Sequence, residues 1–404
     1  MLAPNPYFPP FSHEEYMRRY EVLRQEMAKA DLDCLIVYGA TPLGGNDTGQ
    51  INAQYLSNFA AVGHTYVVFH RTEDPTLHLA LDFHIPNARD IGVIQDVRSG
   101  GAFIEHGVAT RLKELDINKG RIGIVGPSVS YFMPCTLPYE HYVYFKKEFP
   151  DTEFVNVHEW YENIRSIKSD EEIKLLERSA ALTDLCHEEI FFATRPGAAH
   201  ADIRRVAEQL SFTHRANYCM LHMSSMPTTD QPWPYQDFWP SDRKVADGDL
   251  VMTEVPIGYG MYYTKIMGSF FVGEPSQEYK NMFELAASVH DTVINELKPG
   301  MKGSDVDQFV APIREAGYVT SGLVSGWSNY NGPPFVGQTH PDFPRPPIQS
   351  HLDLEFKPGL CVQVMAYPIA PDMKKGLWVG STCVFTETGL RRLNKYPVKQ
   401  LRVA

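Results

Sequence analysis

The 404-residue sequence predicts a two-domain chain of mixed α/β class. Three observations lead there. Up to residue 165, short apolar strand patterns alternate with helical ones. A helix-opening signal at Ser169 then sets a boundary just before it. The rest carries a faint internal repeat in which helices precede paired strands. The domains are therefore expected at 1–165 and 166–404.

Within the first domain, residues 13–29 are amphipathic with helical spacing. Cys34-Leu-Ile-Val-Tyr38 is an apolar run with polar flanks, which reads as a buried strand. Tyr66-Val-Val-Phe69, His78-Leu-Ala-Leu81, Arg121-Ile-Gly-Ile-Val125 and Phe154-Val-Asn-Val157 repeat that signature. Helical stretches near 102–115 and 138–148 lie between them. Alternation of this kind favours a sheet covered by helices. Gly39 to Asn52, rich in Gly, Asn and Thr, is expected to be a long surface loop, either a connector or functional.

The second domain opens with Ser169 and Glu172 in a capping-box pattern, which satisfies two free backbone donors at a helix start. Ile173, Leu176, Ala180, Thr183, His187 and Ile190 continue with helical spacing. Two similar units follow. Arg195-Pro-Gly197 precedes Asp202-Ile203, and Lys298-Pro-Gly300 precedes Asp305-Val306. The first unit leads to apolar strands at 250–256 and 262–272, the second to strands at 360–368 and 377–385. Two such halves would bring the four strands together around a shared cavity.

Composition narrows the function classes. Apolar residues make up 43% and charged residues 21%, enough apolar surface for a sizeable core. The net charge of −12, with no Lys/Arg run, opposes nucleic-acid binding. No apolar run reaches the length of about 18 residues that a membrane helix needs. Met1-Leu-Ala-Pro-Asn-Pro6 lacks a signal pattern, so a cytoplasmic location is expected. The six cysteines show no paired spacing and are expected to be reduced thiols in or near the core. No nucleotide fingerprint, zinc-peptidase helix, P-loop or nucleophile elbow is present. No cofactor is expected.

Five segments carry a family resemblance. They are Arg165-Ser-Ile-Lys-Ser-Asp-Glu-Glu-Ile173, Arg243-Lys-Val-Ala-Asp-Gly-Asp249, Phe271-Val-Gly-Glu-Pro275, Lys357-Pro-Gly359 and Phe385-Thr-Glu-Thr-Gly389. With them the chain resembles, over essentially its whole length, the creatinase, aminopeptidase P and prolidase family, M24. The resemblance implies a pita-bread C-terminal domain behind a smaller creatinase-type N-terminal α/β domain. It also implies a homodimer in which one chain's N-terminal domain closes the other's cavity.

Active metallopeptidases of this family usually hold two metal ions through Asp, Asp, His, Glu and Glu. At the matching positions this chain has Glu254, Lys265, Trp327, Met365 and Gly380. One carboxylate beside an ammonium is a poor site for hard divalent ions. No metal is therefore expected, and no metallopeptidase activity. Creatinase is a metal-free member, but its site is not matched either. The family's general-base His corresponds to Asp237, and the carboxylates that hold a guanidinium correspond to Met267 and Met365. A guanidinium needs anionic partners, so a creatine-like cation is not expected. The N-terminal-domain Arg that creatinase lends to its partner corresponds to His64.

Read from its own residues, the altered site pairs Lys265 with Glu254 on adjacent strands. Lys265 is the sole charge in Tyr262-Tyr-Thr-Lys-Ile-Met-Gly-Ser-Phe-Phe271, which points to a buried ammonium. Such a charge needs a partner. The pair is either a filler of the former metal position or a working acid–base group. Asp237 and His340 are further acid–base candidates, with a surface ion-pair role open for Asp237 near Arg243 and Lys244. Trp239, Tyr263, Trp327, Tyr330 and Phe335, with Met267 and Met365, are expected to line an apolar or aromatic substrate site, or to be core. Three functions stay open. One is a metal-independent lyase cleaving a C–C or C–heteroatom bond of a small aromatic or apolar compound. Another is a metal-free C–N hydrolase with Asp237 or Glu254 as base. The third is a non-catalytic binding protein. The expected partners are a small molecule and a second copy of the chain.

Overall fold

The computed structural model describes residues 8, 11–41, 47–126, 136–216, 218–219, 221–235, 241–327, 331–338 and 349–404; at 47, 48, 218, 219, 327 and 331–335 it describes the backbone alone. The chain forms two compact units, Met1–Arg165 and Ser166–Ala404.

The first unit is built on a six-stranded mixed sheet of order β4-β3-β2-β1-β5-β6. Its strands are β1 (Cys34–Thr41), β2 (Gly63–His70), β3 (Thr76–Leu79), β4 (Asp96–Ser99), β5 (Gly120–Val125) and β6 (Thr152–Asn156). Its helices are α1 (His13–Lys29), α2 (Ile51–Ser57), α3 (Ile85–Ile91), α4 (Ile104–Glu114), α5 (Tyr139–Glu148) and α6 (His158–Ser166). Side chains alternate across a strand, so each face of β1 and β2 feeds a different core. Leu35, Val37, Val67 and Phe69 pack with α1, α2 and α6. Ile36, Tyr38, Tyr66 and Val68 pack with α4 and α5.

The long loop expected from Gly39 to Asn52 is corrected. Strand β1 runs on to Thr41, Asp47–Gln50 is a 3-10 turn, and α2 begins at Ile51. Buried hydrogen bonding explains this. The Gln50 amide donates to the carbonyls of Ala61 and Gly63. A Cβ at Gly39 would lie 2.8 Å from the Gln50 side chain and 3.2 Å from that of Ala53. The polar run is thus a closely packed helix start. Residues 42–46 lie outside the described set.

In the second unit, the capping box at Ser169 forms as the sequence signals, with Glu172 Oε2 accepting the Ser169 N–H at 2.8 Å. It opens α7 (Asp170–Ala193), followed by α8 (His200–Thr213), α9 (Gln277–Glu296), α10 (Asp307–Glu315) and α11 (Gln349–Asp353). The strands are β7 (Tyr218–Cys219), β8 (His222–Pro227), β9 (Asp249–Tyr259), β10 (Tyr262–Phe271), β11 (Val324–Trp327), β12 (Asn331–Val336), β13 (Cys361–Ala366), β14 (Val379–Thr386) and β15 (Gly389–Arg392). They form one nine-stranded sheet of order β12-β11-β13-β14-β10-β9-β7, with β8 on β9 and β15 on β14. The four strands expected to meet are contiguous in it, as β13-β14-β10-β9.

Helices α7 and α9 cover one face of this sheet. Ser179 Oγ donates to the Ile257 carbonyl at 2.7 Å, and Thr183 Oγ1 lies 3.0 Å from Thr264 Oγ1. His187 Nε2 lies 2.7 Å from Thr253 Oγ1, and His290 Nε2 lies 2.9 Å from Ser381 Oγ. Thr253, Thr264 and Ser381 therefore mark the helix-covered face, and their strand neighbours mark the inner face. Cys34, Cys186, Cys361 and Cys383 are buried free thiols. No described helix is long and apolar enough to cross a membrane.

Candidate functional site on the inner sheet face

The centre of the inner face is set by the β9–β10 hairpin. Antiparallel register places Glu254 opposite Met267, and Pro256 opposite Lys265. Lys265 and Glu254 are therefore diagonal neighbours on one face, within reach of a long side chain. Lys265 Nζ donates to Glu254 Oε1 at 2.8 Å. The ammonium is nearly closed off, its side chain 3% exposed, while that of Glu254 is 16% exposed. Tyr262 anchors the hairpin to α7 by donating its hydroxyl to Glu172 Oε1 at 2.8 Å.

Strand β8 adds an imidazole that the sequence reading did not include. His222 stands opposite Glu254, and its Nδ1 lies 3.7 Å from Glu254 Oε2. Burial by itself would raise the Glu254 carboxyl. The charge of Lys265 and its hydrogen bond, with the His222 ring close by, more than reverse this and hold it down at about 2. Glu254 is ionised throughout the neutral range.

The next strands complete the face. Met267 is opposite Gly380 on β14, and Gly380 is opposite Met365 on β13. The positions matching four of the family's metal ligands, now Glu254, Lys265, Met365 and Gly380, are thus gathered on one surface. Thr382 Oγ1 accepts the Lys265 backbone N–H at 2.9 Å and donates to Gln363 Oε1 at 3.0 Å. Gln363 is in turn opposite Ser325 on β11. Tyr263 packs its ring over Gly258, where an added Cβ would meet it at 2.4 Å. Tyr367 and Trp378, buried with ring centres 5.2 Å apart, belong to the core around the two methionines.

Several expected site residues lie elsewhere. Asp237, Trp239, Tyr330 and His340 are outside the described residues, and for Trp327 and Phe335 only the backbone in β11 and β12 is described. Arg243, near Asp237 in sequence, clamps Asp249 with two hydrogen bonds of 2.5 and 2.8 Å. His64 belongs to the first unit, on β2. Its Nδ1 lies 2.6 Å from the Tyr38 hydroxyl and its ring 5.2 Å from that of His141. Burial lowers the pKa of both imidazoles, with Glu105 opposing.

The donor set does not fit the metal pair that the family implies. Thioether, glycine and ammonium replace oxygen ligands, and the ammonium occupies the remaining carboxylate. Among the described residues no cluster of three or more His, Cys, Asp or Glu side chains is arranged to hold an ion.

Comparison with known proteins gives the lineage. Residues 174–387 match the model of metallopeptidase family M24, and residues 19–167 match the creatinase/prolidase N-terminal domain. The chain is 24% identical to the creatinase of Bacillus sp. (strain B-0618) over 96% of its own length and 92% of the relative's. It is 24% identical to the Xaa-Pro dipeptidase of Pyrococcus furiosus over 64% of its length and 72% of the relative's. Its fold is shared with the Xaa-Pro dipeptidase from Bacillus anthracis, with a TM-score of 0.76 and 22% identity, covering 96% of this chain and 100% of that one. The prolidase from Pyrococcus horikoshii OT3 gives a TM-score of 0.74 at 19% identity, covering 94% and 99%. The M24 match spans more than half of the chain and the N-terminal match most of the rest, so the chain belongs to the creatinase, aminopeptidase P and prolidase family, M24.

Proposed function

We propose that this chain is a metal-independent enzyme that moves protons at a small apolar or aromatic compound, most simply as a lyase that cleaves a C–C or C–heteroatom bond. The supporting observation is the enclosed Lys265–Glu254 pair at 2.8 Å, standing where the family places metal-binding carboxylates. Lys265 is a fixed positive charge suited to stabilising a developing anion. Glu254 acts as its counter-ion. Considered as a hydrolytic base from the sequence alone, Glu254 is held near 2 and is too weakly basic for that work. His222, beside Glu254, is the group that takes the substrate proton, with Asp237 and His340 as further candidates. Tyr263, Met267 and Met365 supply apolar walls, with Trp239, Trp327, Tyr330 and Phe335 as further candidates and His64 bordering the site of a second copy in a homodimer.

A second reading, C–N bond hydrolysis, is favoured by the creatinase relative, which matches along nearly the whole chain. In that case His222 or Asp237 would activate water. One experiment addresses both. Aromatic and apolar compounds are screened by thermal shift, and the hits are incubated in D2O and in H2(18)O. Deuterium entry at carbon or bond cleavage without 18O in the product supports the lyase, whereas 18O in the product supports the hydrolase. Loss of turnover on chelation, with recovery on adding Mn2+, would overturn the metal-free reading. Stabilising compounds that are never converted would favour a binding protein.

A further inference from the structure

The strand pair that carries Lys265 parts at that residue. Backbone pairing between β10 and β14 runs through Met267↔Gly380 and Ile266↔Ser381, and the same register would next set Lys265 against Thr382. Side chains take over there. Lys265 donates its N–H to Thr382 Oγ1 at 2.9 Å. The one hydroxyl proton of Thr382 is shared between the Lys265 carbonyl, 3.2 Å away, and Gln363 Oε1, 3.0 Å away. On the other side of β10, Pro256 stands opposite Lys265 and has no N–H to offer. A threonine side chain thus holds the backbone of Lys265 where a sheet would ordinarily supply backbone groups.

The backbone of Thr382 is turned the other way, toward the segment that follows β15. Its carbonyl accepts the Leu393 N–H at 2.9 Å. Its N–H is donated to Asn394 Oδ1 at 3.0 Å. Asn394 Nδ2 donates in turn to Asp184 Oδ1 on α7 at 3.2 Å, and Asp184 Oδ2 accepts the Lys395 N–H at 2.6 Å. Thr382 and Asn394 are both buried. A buried N–H that loses its acceptor must find another. For Thr382 the register offers the Lys265 carbonyl, so without Asn394 the fork between β10 and β14 would close into an ordinary ladder. The Thr382 hydroxyl would then leave the Lys265 N–H. The Lys265 side chain, 3% exposed, is packed too closely to absorb that shift by changing rotamer.

We propose that Asn394 is a positioning residue for the Lys265–Glu254 pair: by taking the Thr382 N–H, it keeps the Thr382 hydroxyl on the Lys265 backbone and the ammonium on Glu254. Asp184 orients the Asn394 amide so that its oxygen, not its NH2, meets Thr382. The segment after β15, tied to α7 through Asp184, thereby governs the site from the helix-covered side of the sheet. This inference rests on the proposed role of Lys265 and adds what controls it. A preorganised charge is effective only while it is held in place.

The test observes Lys265 itself and needs no substrate for its first arm. In full-length protein labelled with 15N-lysine, an enclosed ammonium bonded to Glu254 gives a slowly exchanging Nζ signal, assigned by its loss in Lys265→Met. Asn394→Leu keeps the volume and removes both amide hydrogen bonds; the Nζ signal should shift or broaden away. In the second arm, kcat on a substrate from the thermal-shift screen should fall by roughly ten- to a hundredfold, with KM little changed. Asn394→Asp sets two carboxylates against each other and should act alike. Adding Asp184→Asn exchanges the two groups and can rebuild all three hydrogen bonds, so signal and turnover should both return, which decides the matter even if Asn394→Leu fails to fold. A lower melting temperature with unchanged Nζ signal and turnover in the single variants would make Asn394 merely structural and overturn the proposal. Failure of the exchange to restore the signal would overturn the route through Asp184. No slowly exchanging signal in wild type would overturn it as well, since there would be no fixed ammonium to position. A displaced Nζ signal with unchanged turnover would uphold the positioning and refute the catalytic role of Lys265 instead.

Discussion

Substitution of Lys265 by Met separates a catalytic ammonium from a structural one. The side chain volumes are similar, and methionine already occupies the neighbouring inner-face positions 267 and 365. What is removed is a charge 2.8 Å from a carboxylate on the same enclosed face. The depression of Glu254 from 4.5 to about 2 corresponds to about 3 kcal/mol of coupling. Because the folded-state value is depressed, that stabilisation is present above about pH 4.5 and is lost as pH falls toward 2. Lys265→Met removes the lowering charge and leaves burial, which acts in the opposite direction. The stranded carboxylate should cost roughly 3–5 kcal/mol at pH 7. For a unit of this size that is roughly 6–20 °C in melting temperature. The variant should regain stability on mild acidification, opposite in sign to the wild-type Glu254 contribution. Lys265→Met combined with Glu254→Gln removes both charges and should recover most of the loss. Turnover of a substrate found by the thermal-shift screen should fall by roughly two to four orders of magnitude in the single variant and stay low in the double. The assay is calorimetric melting beside kcat on the same preparations. If the double variant regains melting temperature and turnover together, Lys265 is structural and the mechanism is wrong.

Three further outcomes follow. Elemental analysis should find well below one equivalent of Mn, Fe, Co or Zn, and chelators should leave turnover intact; a stoichiometric ion in active protein refutes this. Light scattering should give a homodimer of the 45.8 kDa chain, whereas a fully active monomer contradicts the pairing expected from the family. His78, His187 and His290 are buried, and burial lowers them to about 4, 3 and 3. Their unfolded-state value is 6.5, so stability should fall as pH drops from about 6.5, by about 2 kcal/mol each at pH 5. His187→Gln, which keeps a hydrogen-bonding end for Thr253, should flatten that part of the profile, and an unchanged slope would remove His187 from the account.

What the sequence disclosed depends on how local the signal was. The capping box at Ser169 and the strands at Cys34, Leu250 and Tyr262 are marked by contiguous residues, and they were read. The Glu254–Lys265 pairing was also legible, because a short hairpin turn between Tyr259 and Tyr262 fixes the register. Strand β8 was not read: His222-Met-Ser-Ser-Met-Pro227 has little β-branched character and ends in proline. His222 thus escaped notice, since its approach to Glu254 depends on the register of β8 against β9. Strands β11 and β12 contain Gly-Trp and Gly-Pro-Pro, which read as loop. Thr382 and Asn394 are invisible for a different reason. A buried polar residue looks ordinary until its partners are known, and those partners are a three-dimensional fact. The loop expected at Gly39–Asn52 failed in the reverse way, because polar composition concealed the buried bonding of Gln50.

The choice between a working ion pair and a filler also bears on what would stand at positions 254 and 265 if nothing further were required of them. Well-packed apolar side chains in place of a buried ion pair are often neutral or stabilising by 1–4 kcal/mol. This site accepts such side chains, since Met267 and Met365 are both buried within the same core cluster. A position that only needed filling could have taken the same solution at 254 and 265. Instead the chain keeps a charged pair and sets His222 beside its carboxylate. A buried pair of charges carries a desolvation cost that methionine at those two positions would not. That polarity, concentrated on one face of the sheet, is what a bound substrate would meet. It is the physical ground for proposing this face as an active site.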